Sequence, residues 1–226
     1  MRSLDAYVFE EMKKYLKNIN KINDNWNSLN ILSIDAATIG SYDLGIFSSN
    51  NGSNKTLKKI EDKEAEVIFL IGQDNIKIKK NNEFIIYIGS HGDIGAELAD
   101  LILPGAAYTE QDGFFTNLEG KLQKAYKASY PPGDAKEDWQ IINELSSEIN
   151  RNALFKNKDE LIKSMHEYLK ENKNNNFEVP KYDFKDEKIF IEDIDYYYSN
   201  TIARASKTMS ECRNARVNLK KTGTEA

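Results

Sequence analysis

One cysteine, two histidines and four prolines among 226 residues set the first limits. With Cys212 alone, a disulfide inside the chain is impossible. An iron–sulphur centre of its own is excluded as well, since such a centre takes four Cys ligands. A tetrahedral zinc site built from Cys212, His91 and His166 would be one ligand short unless a carboxylate joined it. No apolar run approaches the roughly 18–20 residues of a membrane span. Cationic excess is missing too: Lys and Arg number 31 against 36 Asp and Glu, a net charge of −5. That balance argues against a general nucleic-acid binder, which needs clustered positive charge. The opening MRSLDAYVFEEMKK has no apolar h-region and carries Asp5, Glu10 and Glu11, so it does not read as a targeting segment.

What is present is a globular composition, 40% hydrophobic and 30% charged, enough to build a core. The chain is rich in Lys, Asn and Ile, a bias that suggests an AT-rich genome such as that of an organelle or an endosymbiont.

Hydrophobic spacing places the elements. Leu4, Val8, Met12, Tyr15 and Ile19 predict a first helix. Asp24 is read as the cap of a second, with Trp26, Leu29, Leu32, Ala36 and Ile39 on one face. Residues 41–54 are read as loop and Thr56–Asp62 as a short helix. Val67–Ile71 is a continuous apolar run, expected to be a strand buried on both faces. Further strands are expected at Phe84–Ile88 and Asp100–Pro104, with a helix at Ile94–Ala99 between them. This alternation predicts an α/β fold with a doubly wound parallel sheet and helices on both faces. The two leading helices have no strand before them. Their apolar faces are expected to pack on the strands at 67–104 or to meet a strand from another chain.

After Pro131-Pro132-Gly133, Asp134 is read as a helix cap with Glu137 completing a capping box. Trp139, Ile142, Leu145 and Ile149 form the stripe of that helix. Another helix is expected at 158–170 on Leu161, Ile162, Met165 and Leu169, then a polar linker at 171–176. An aromatic, acidic segment follows up to Tyr198. A last helix is expected from about Ser199, fraying beyond about residue 215.

Chemistry has few candidates. Gly89-Ser-His-Gly92-Asp-Ile-Gly95 follows a strand and opens a helix, where α/β sheets bind phosphates and cofactors. It lacks the G-x-G-x-x-G spacing, and a tight turn needing glycine conformations explains it more simply. His91 could serve as an acid–base group oriented by Asp93, but it is assigned no nucleophile and more often such a residue bonds backbone or faces a neighbouring chain. His166 is read as surface decoration. Cys212 sits in a polar helix, and its reactivity depends on a depressed pKa. Glu110, Asp112 and Glu119 make an acid-rich loop, with Phe114 and Phe115 as anchors or a contact surface. Tyr196, Tyr197 and Tyr198 beside acids read as an interface rather than a platform for bases.

Several blocks together carry a resemblance: HGDIGAELADLILPGAAYTEQDG from His91, FTNLEGKLQ from Phe115, YPPGDAKEDWQII from Tyr130, and TIARASKTMSEC from Thr201. WNSLNIL, YDLG and EVIFLIGQD precede them. In this order they resemble the C-terminal part of the large iron–sulphur subunit of respiratory complex I (NADH:quinone oxidoreductase), from the first helix to about Arg213. Lys121 and Lys136 stand where arginine is usual, and the loop after Pro180 is longer and more acidic than expected.

The resemblance implies a molybdopterin-oxidoreductase-like domain over 1–150 that does not hold that cofactor, with a helical and extended tail over 151–226. It implies no catalytic, cofactor-binding or metal residue here; clusters and FMN are expected in partner subunits. The expected partners are the cluster-bearing N-terminal part of the same subunit, as a separate chain from a split gene, and other peripheral-arm subunits. The expected place is the matrix side of the mitochondrial inner membrane with organelle encoding, or else the cytoplasmic face of a bacterial membrane. The competing readings are a fragment of a molybdopterin-dependent enzyme with a pocket at Gly89–Gly95 and Thr116-Asn117, and a free-standing structural protein.

Overall fold

The computed structural model describes residues 6–30, 33, 35–46, 53–74, 76, 78–171 and 195–222. In chain order the elements are α1 (Ala6–Asn18), β1 (Ile22–Asn23), β2 (Trp26–Asn27), α2 (Thr38–Asp43), α3 (Ser53–Glu61), β3 (Val67–Ile71), β4 (Phe84–Gly89), α4 (Ile94–Leu98), β5 (Leu101–Pro104), β6 (Gly113–Thr116), β7 (Leu122–Ala125), α5 (Asp138–Asn150) and α6 (Lys158–Glu171). A 3-10 turn (Tyr196–Tyr198), α7 (Thr201–Ala205) and α8 (Lys207–Thr222) close the chain. They group into two units that alternate along the sequence. One holds residues 1–56, 112–126 and 155–192; the other holds 57–111, 127–154 and 193–226.

The second unit contains the parallel sheet, in the order β3-β4-β5. Helices flank both faces, as the strand–helix alternation predicts. On one face Ile60 of α3 and the residues Ala96 and Leu98 of α4 pack on Ile68, Leu70, Ile85 and Tyr87. On the other, Ile141 and Ile142 of α5 pack on Ile86, Ile88 and Leu103. Two β4 side chains, Ile85 and Ile88, are wholly inaccessible, so the core is centred on the middle strand. β3 departs from expectation: burial alternates along it, with Ile68 and Leu70 covered and Val67, Phe69 and Ile71 exposed. The continuous apolar run therefore marks a strand buried on one face, not on both.

In the first unit α6 presents its predicted stripe, with Leu161, Ile162, Met165 and Leu169 half-buried. α2 packs on the β6–β7 hairpin, where Thr116 is buried. The helix predicted from Asp24 is not formed. Its start is the turn of a two-residue hairpin, β1 with β2. Asparagine explains this. The Asn23 side chain accepts from the Asn25 amide at 2.9 Å and the Asn27 side chain from the Leu29 amide at 3.0 Å. Such side chains offer the backbone a competing partner to the helical carbonyl. Within 41–54, read as loop, α2 runs on to Asp43 and α3 begins at Ser53.

The hairpin of β6 and β7 falls where an acid-rich loop was expected. Asn117 organises it: its side chain accepts from the amides of Glu119 and Lys121, and Gly120 supplies the positive φ of 77°. α5 starts at Asp138 with Glu137 as its cap, reciprocated by Gln140, so Asp134 is not the cap. The reason is local. Lys136 is extended and bridges Gly105, donating to Pro104 O at 3.1 Å and accepting from the Ala106 amide at 2.8 Å. Helical φ and ψ cannot begin until that bridge ends. Ile141, outside the predicted stripe, is the buried anchor of α5, while Ile149 is exposed. The last helix is two, α7 capped by the Asn200 side chain and α8 continuing to Thr222 rather than ending near 215. The linker at 172–176 and the acidic segment up to residue 194 lie outside the described residues.

Candidate functional site

The carboxyl ends of β4 and β5, at Gly89 and Pro104, open onto a cavity of about 370 Å³ in the sheet-bearing unit. Its wall includes Ser90, His91, Gly105, Ala107, Glu110 and Pro132. This is where open α/β sheets place ligands.

The glycine loop that borders it is built for close approach. Gly89 and Gly95 do not have positive φ, so unusual backbone conformation is not what they supply. A Cβ on Gly89 would run into the Tyr87 ring, and one on Gly95 would lie 2.5 Å from the Gln73 carbonyl oxygen and 3.0 Å from that same ring. Tyr87 is the reason for both. Its buried side chain crosses under the loop, and its hydroxyl lies between the Asp74 carboxylate and the His91 carbonyl oxygen, the latter at 2.9 Å. Burial, then the Asp74 carboxylate, push the Tyr87 hydroxyl well above the ordinary tyrosine range. It is a fixed donor, not an acid.

His91 Nδ1 lies 2.9 Å from Ser90 Oγ. Ser90 is thus the polar neighbour that spacing along the chain did not single out. Asp93 does not orient His91. Its carboxylate accepts from the Ile94 amide at 2.9 Å, capping α4, and pairs with the Arg204 guanidinium of α7. Arg204 also donates to the Tyr198 carbonyl at 3.2 Å. The Ser90–His91 pair therefore lacks the third, orienting group of a nucleophilic triad among the contacts that Asp93 makes. Glu110 is occupied as the acceptor of the Ala107 amide at 2.9 Å.

Other candidates are dispersed. Asp112 lies 3.9 Å from Lys158 Nζ, and Glu119 receives a bond from Asn117 within the hairpin turn. His166 is exposed on α6, and its ring meets Phe114 edge-on at 5.6 Å. Cys212 is exposed on α8. In the tyrosine run, Tyr198 is covered by the Arg213 guanidinium at 4.7 Å, and Arg213 pairs with Asp195 at 2.5 Å. Asp138, which no sequence signal singled out, is a half-buried carboxyl beneath Gly105; burial raises it above the ordinary carboxylate range, and a bond from Gln111 opposes this. Among the described residues no group of three or more His, Cys, Asp or Glu could hold a metal ion, and no helix is long and apolar enough to cross a membrane.

The Asp93–Arg204 pair carries a pH prediction. The arginine holds the Asp93 carboxyl below its usual range, against the opposing effect of burial. A depressed carboxylate contributes stability above its unfolded value of about 4 and loses it as pH falls through the lower folded value. Asp93→Asn keeps a capping oxygen and removes the charge. It is expected to lower stability by roughly 1–3 kcal/mol at pH 7 and by progressively less below pH 4, read from urea midpoints of variant and wild type at pH 7 and pH 3.

The molybdopterin oxidoreductase family profile matches residues 2–148. Among curated relatives, the NADH-ubiquinone oxidoreductase 75 kDa subunit of Reclinomonas americana is 37% identical over 91% of this chain and 31% of its own length. A subunit of the NADH-quinone oxidoreductase of Rickettsia bellii is 38% identical over 96% of the chain and 32% of its own length. The mitochondrial NADH-ubiquinone oxidoreductase 78 kDa subunit of Candida albicans is 34% identical over 83% of the chain. The chain spans about a third of the length of the curated relatives it matches. The residues lining this cavity include no Lys or Arg, and Ser90 Oγ and Glu110 Oε2 each have a partner within the protein. By sequence match the chain belongs to the molybdopterin oxidoreductase family, and its relatives include the 75 kDa subunit of NADH-ubiquinone oxidoreductase and bacterial NADH-quinone oxidoreductase counterparts.

Proposed function

We propose that this chain is a structural, non-catalytic portion of the large iron–sulphur subunit in the peripheral arm of respiratory complex I. It works beside a separate polypeptide that carries the cluster-binding remainder of the same subunit. The assembly passes electrons from NADH through FMN and clusters to quinone, coupled to proton pumping. This chain supplies packing surface that shields clusters from solvent and holds their carrier in position. Its place is the matrix side of the mitochondrial inner membrane, with organelle encoding, or the equivalent face of a bacterial membrane.

The observation that carries the reading is the match itself: over nine-tenths of this chain aligns at 37–38% identity with subunits of NADH-ubiquinone and NADH-quinone oxidoreductases. The single cysteine supports leaving the clusters and FMN to partner chains. The test is native purification of the tagged chain. NADH dehydrogenase activity and a cysteine-rich polypeptide homologous to the other two-thirds of those relatives are expected to co-elute with it. Elution without either would defeat the reading, and stoichiometric molybdenum or tungsten in the purified material would replace it with a pterin enzyme.

A further inference from the structure

The C-terminal elements, the 3-10 turn with α7 and α8, form a module fastened by its own polar contacts. Asp195 caps the turn through the Tyr197 amide at 3.2 Å and pairs with Arg213 of α8. The Arg213 guanidinium lies over the Tyr198 ring, 4.7 Å from its centroid. Asn200 caps α7 through the Ala203 amide at 2.9 Å. These contacts close the module from its first residue to α8.

Its hold on the sheet is of a different kind. No residue of the turn or of α7 is fully buried, and among the described residues neither apolar core of the sheet takes a side chain from the module. Arg204 makes the crossing. Its Nε pairs with Asp93 at the start of α4, while its Nη1 donates to the Tyr198 carbonyl at 3.2 Å. One guanidinium therefore grips α4 on one side and the turn of its own module on the other. At 23% and 21% exposure, the Arg204 and Asp93 side chains are sheltered from the solvent screening that weakens fully exposed pairs.

We propose that the Arg204–Asp93 pair is a releasable strap. When it parts, residues 195–222 leave α4 together, still folded, while the sheet stays native. Segments with little buried apolar surface sit at the low end of the stabilities within one fold and open apart from its core. The module meets that description. Arg204's bond to Tyr198 and Arg213's contacts with Asp195 and Tyr198 lie inside it, so the opening breaks none of them.

The test uses the full chain with Trp26→Phe, carrying a fluorescent dye on Cys212, its single cysteine, exposed on α8. Anisotropy decay of the dye reports the module, and Trp139 on α5 reports the sheet. In the parent chain the dye is expected to turn with the whole molecule; a dominant fast component there would overturn the proposal. Arg204→Gln is expected to raise the open fraction roughly tenfold, the effect of losing one charge-assisted bond. It should show as a faster decay with the Trp139 melting transition and the helical circular dichroism retained. Asp93→Asn should do the same, and the double variant no more than either alone, because both act through one pair. An unchanged decay in Arg204→Gln would overturn the strap, since other contacts would then hold the module. Loss of the Trp139 transition would place Arg204 in the fold of the sheet, and loss of helical signal would mean that the module unfolds rather than swings free; either result defeats the proposal. Additive effects of the two substitutions would deny them a shared strap.

Discussion

Ile88→Ala is expected to lower the unfolding free energy by about 2–5 kcal/mol, the range for emptying a fully buried aliphatic site. Ile88 is wholly inaccessible, at the carboxyl end of the central strand, and it packs with Ile86 under Ile141 of α5. Collapse around the cavity is restricted, because β4 is hydrogen-bonded on both sides and cannot shift without breaking two parallel ladders. The neighbouring strand gives the contrast. Phe69→Ala, at a side chain 42% exposed in the chain alone, removes fewer contacts and should cost the isolated chain markedly less. Trp139, on α5, reports the sheet-bearing unit directly once the exposed Trp26 of the other unit is replaced by Phe. Urea unfolding followed by that fluorescence reads both variants. Equal costs at the two positions would mean that Phe69 is as well covered within the chain as Ile88.

This contrast also locates what the sequence could and could not reveal. The three parallel strands were legible because Ile, Val and Leu crowd into short runs, each ended by Gly or Pro: Gly72, Gly89 and Pro104. Which faces of those strands are covered was not legible. An exposed apolar residue and a buried one are the same letter, and only coordinates separate Phe69 from Ile86. Helix beginnings escape sequence patterns where side chains or long-range pairing intervene. Asn23 and Asn27 capture amides that a helix would need, and Lys136 is held extended by a bridge to Gly105, more than thirty positions earlier in the chain. The β6–β7 hairpin has a sequence signal in Asn117 and Gly120, but the acids around it read equally as a solvated loop. At the cavity, the glycine loop stands where the sequence puts it, for a different reason. Its glycines permit contact with Tyr87, a relation across eight residues in one case and two in the other that no spacing rule encodes.

Gly95→Ala puts that contact under direct strain. By helix propensity alone, alanine is favoured in α4 by about 1 kcal/mol. Sterics oppose it: the added methyl lies 2.5 Å from the Gln73 carbonyl oxygen, a backbone atom, and 3.0 Å from the Tyr87 ring. Neither neighbour is the free end of a flexible chain. Tyr87 is fixed by its hydroxyl bonds to Asp74 and the His91 carbonyl, and its body is buried among Ile60, Ile68, Leu70 and Ile85. The start of α4 is held as well, through Asp93 and its ion pair with Arg204. Overpacking costs of about 1–3 kcal/mol are therefore expected to exceed the propensity gain, so Gly95→Ala is net destabilising. Gly92→Ala, in the same loop, is the matched control. Its φ is not in the left-handed region and nothing lies within 4 Å of the added methyl, so it should be neutral or stabilising by up to about 1 kcal/mol. The difference between the two variants, from thermal melts read by Trp139, separates steric closeness from glycine content as the reason the loop holds its shape. If both variants melt alike, Tyr87 does not set the height of the loop above the sheet.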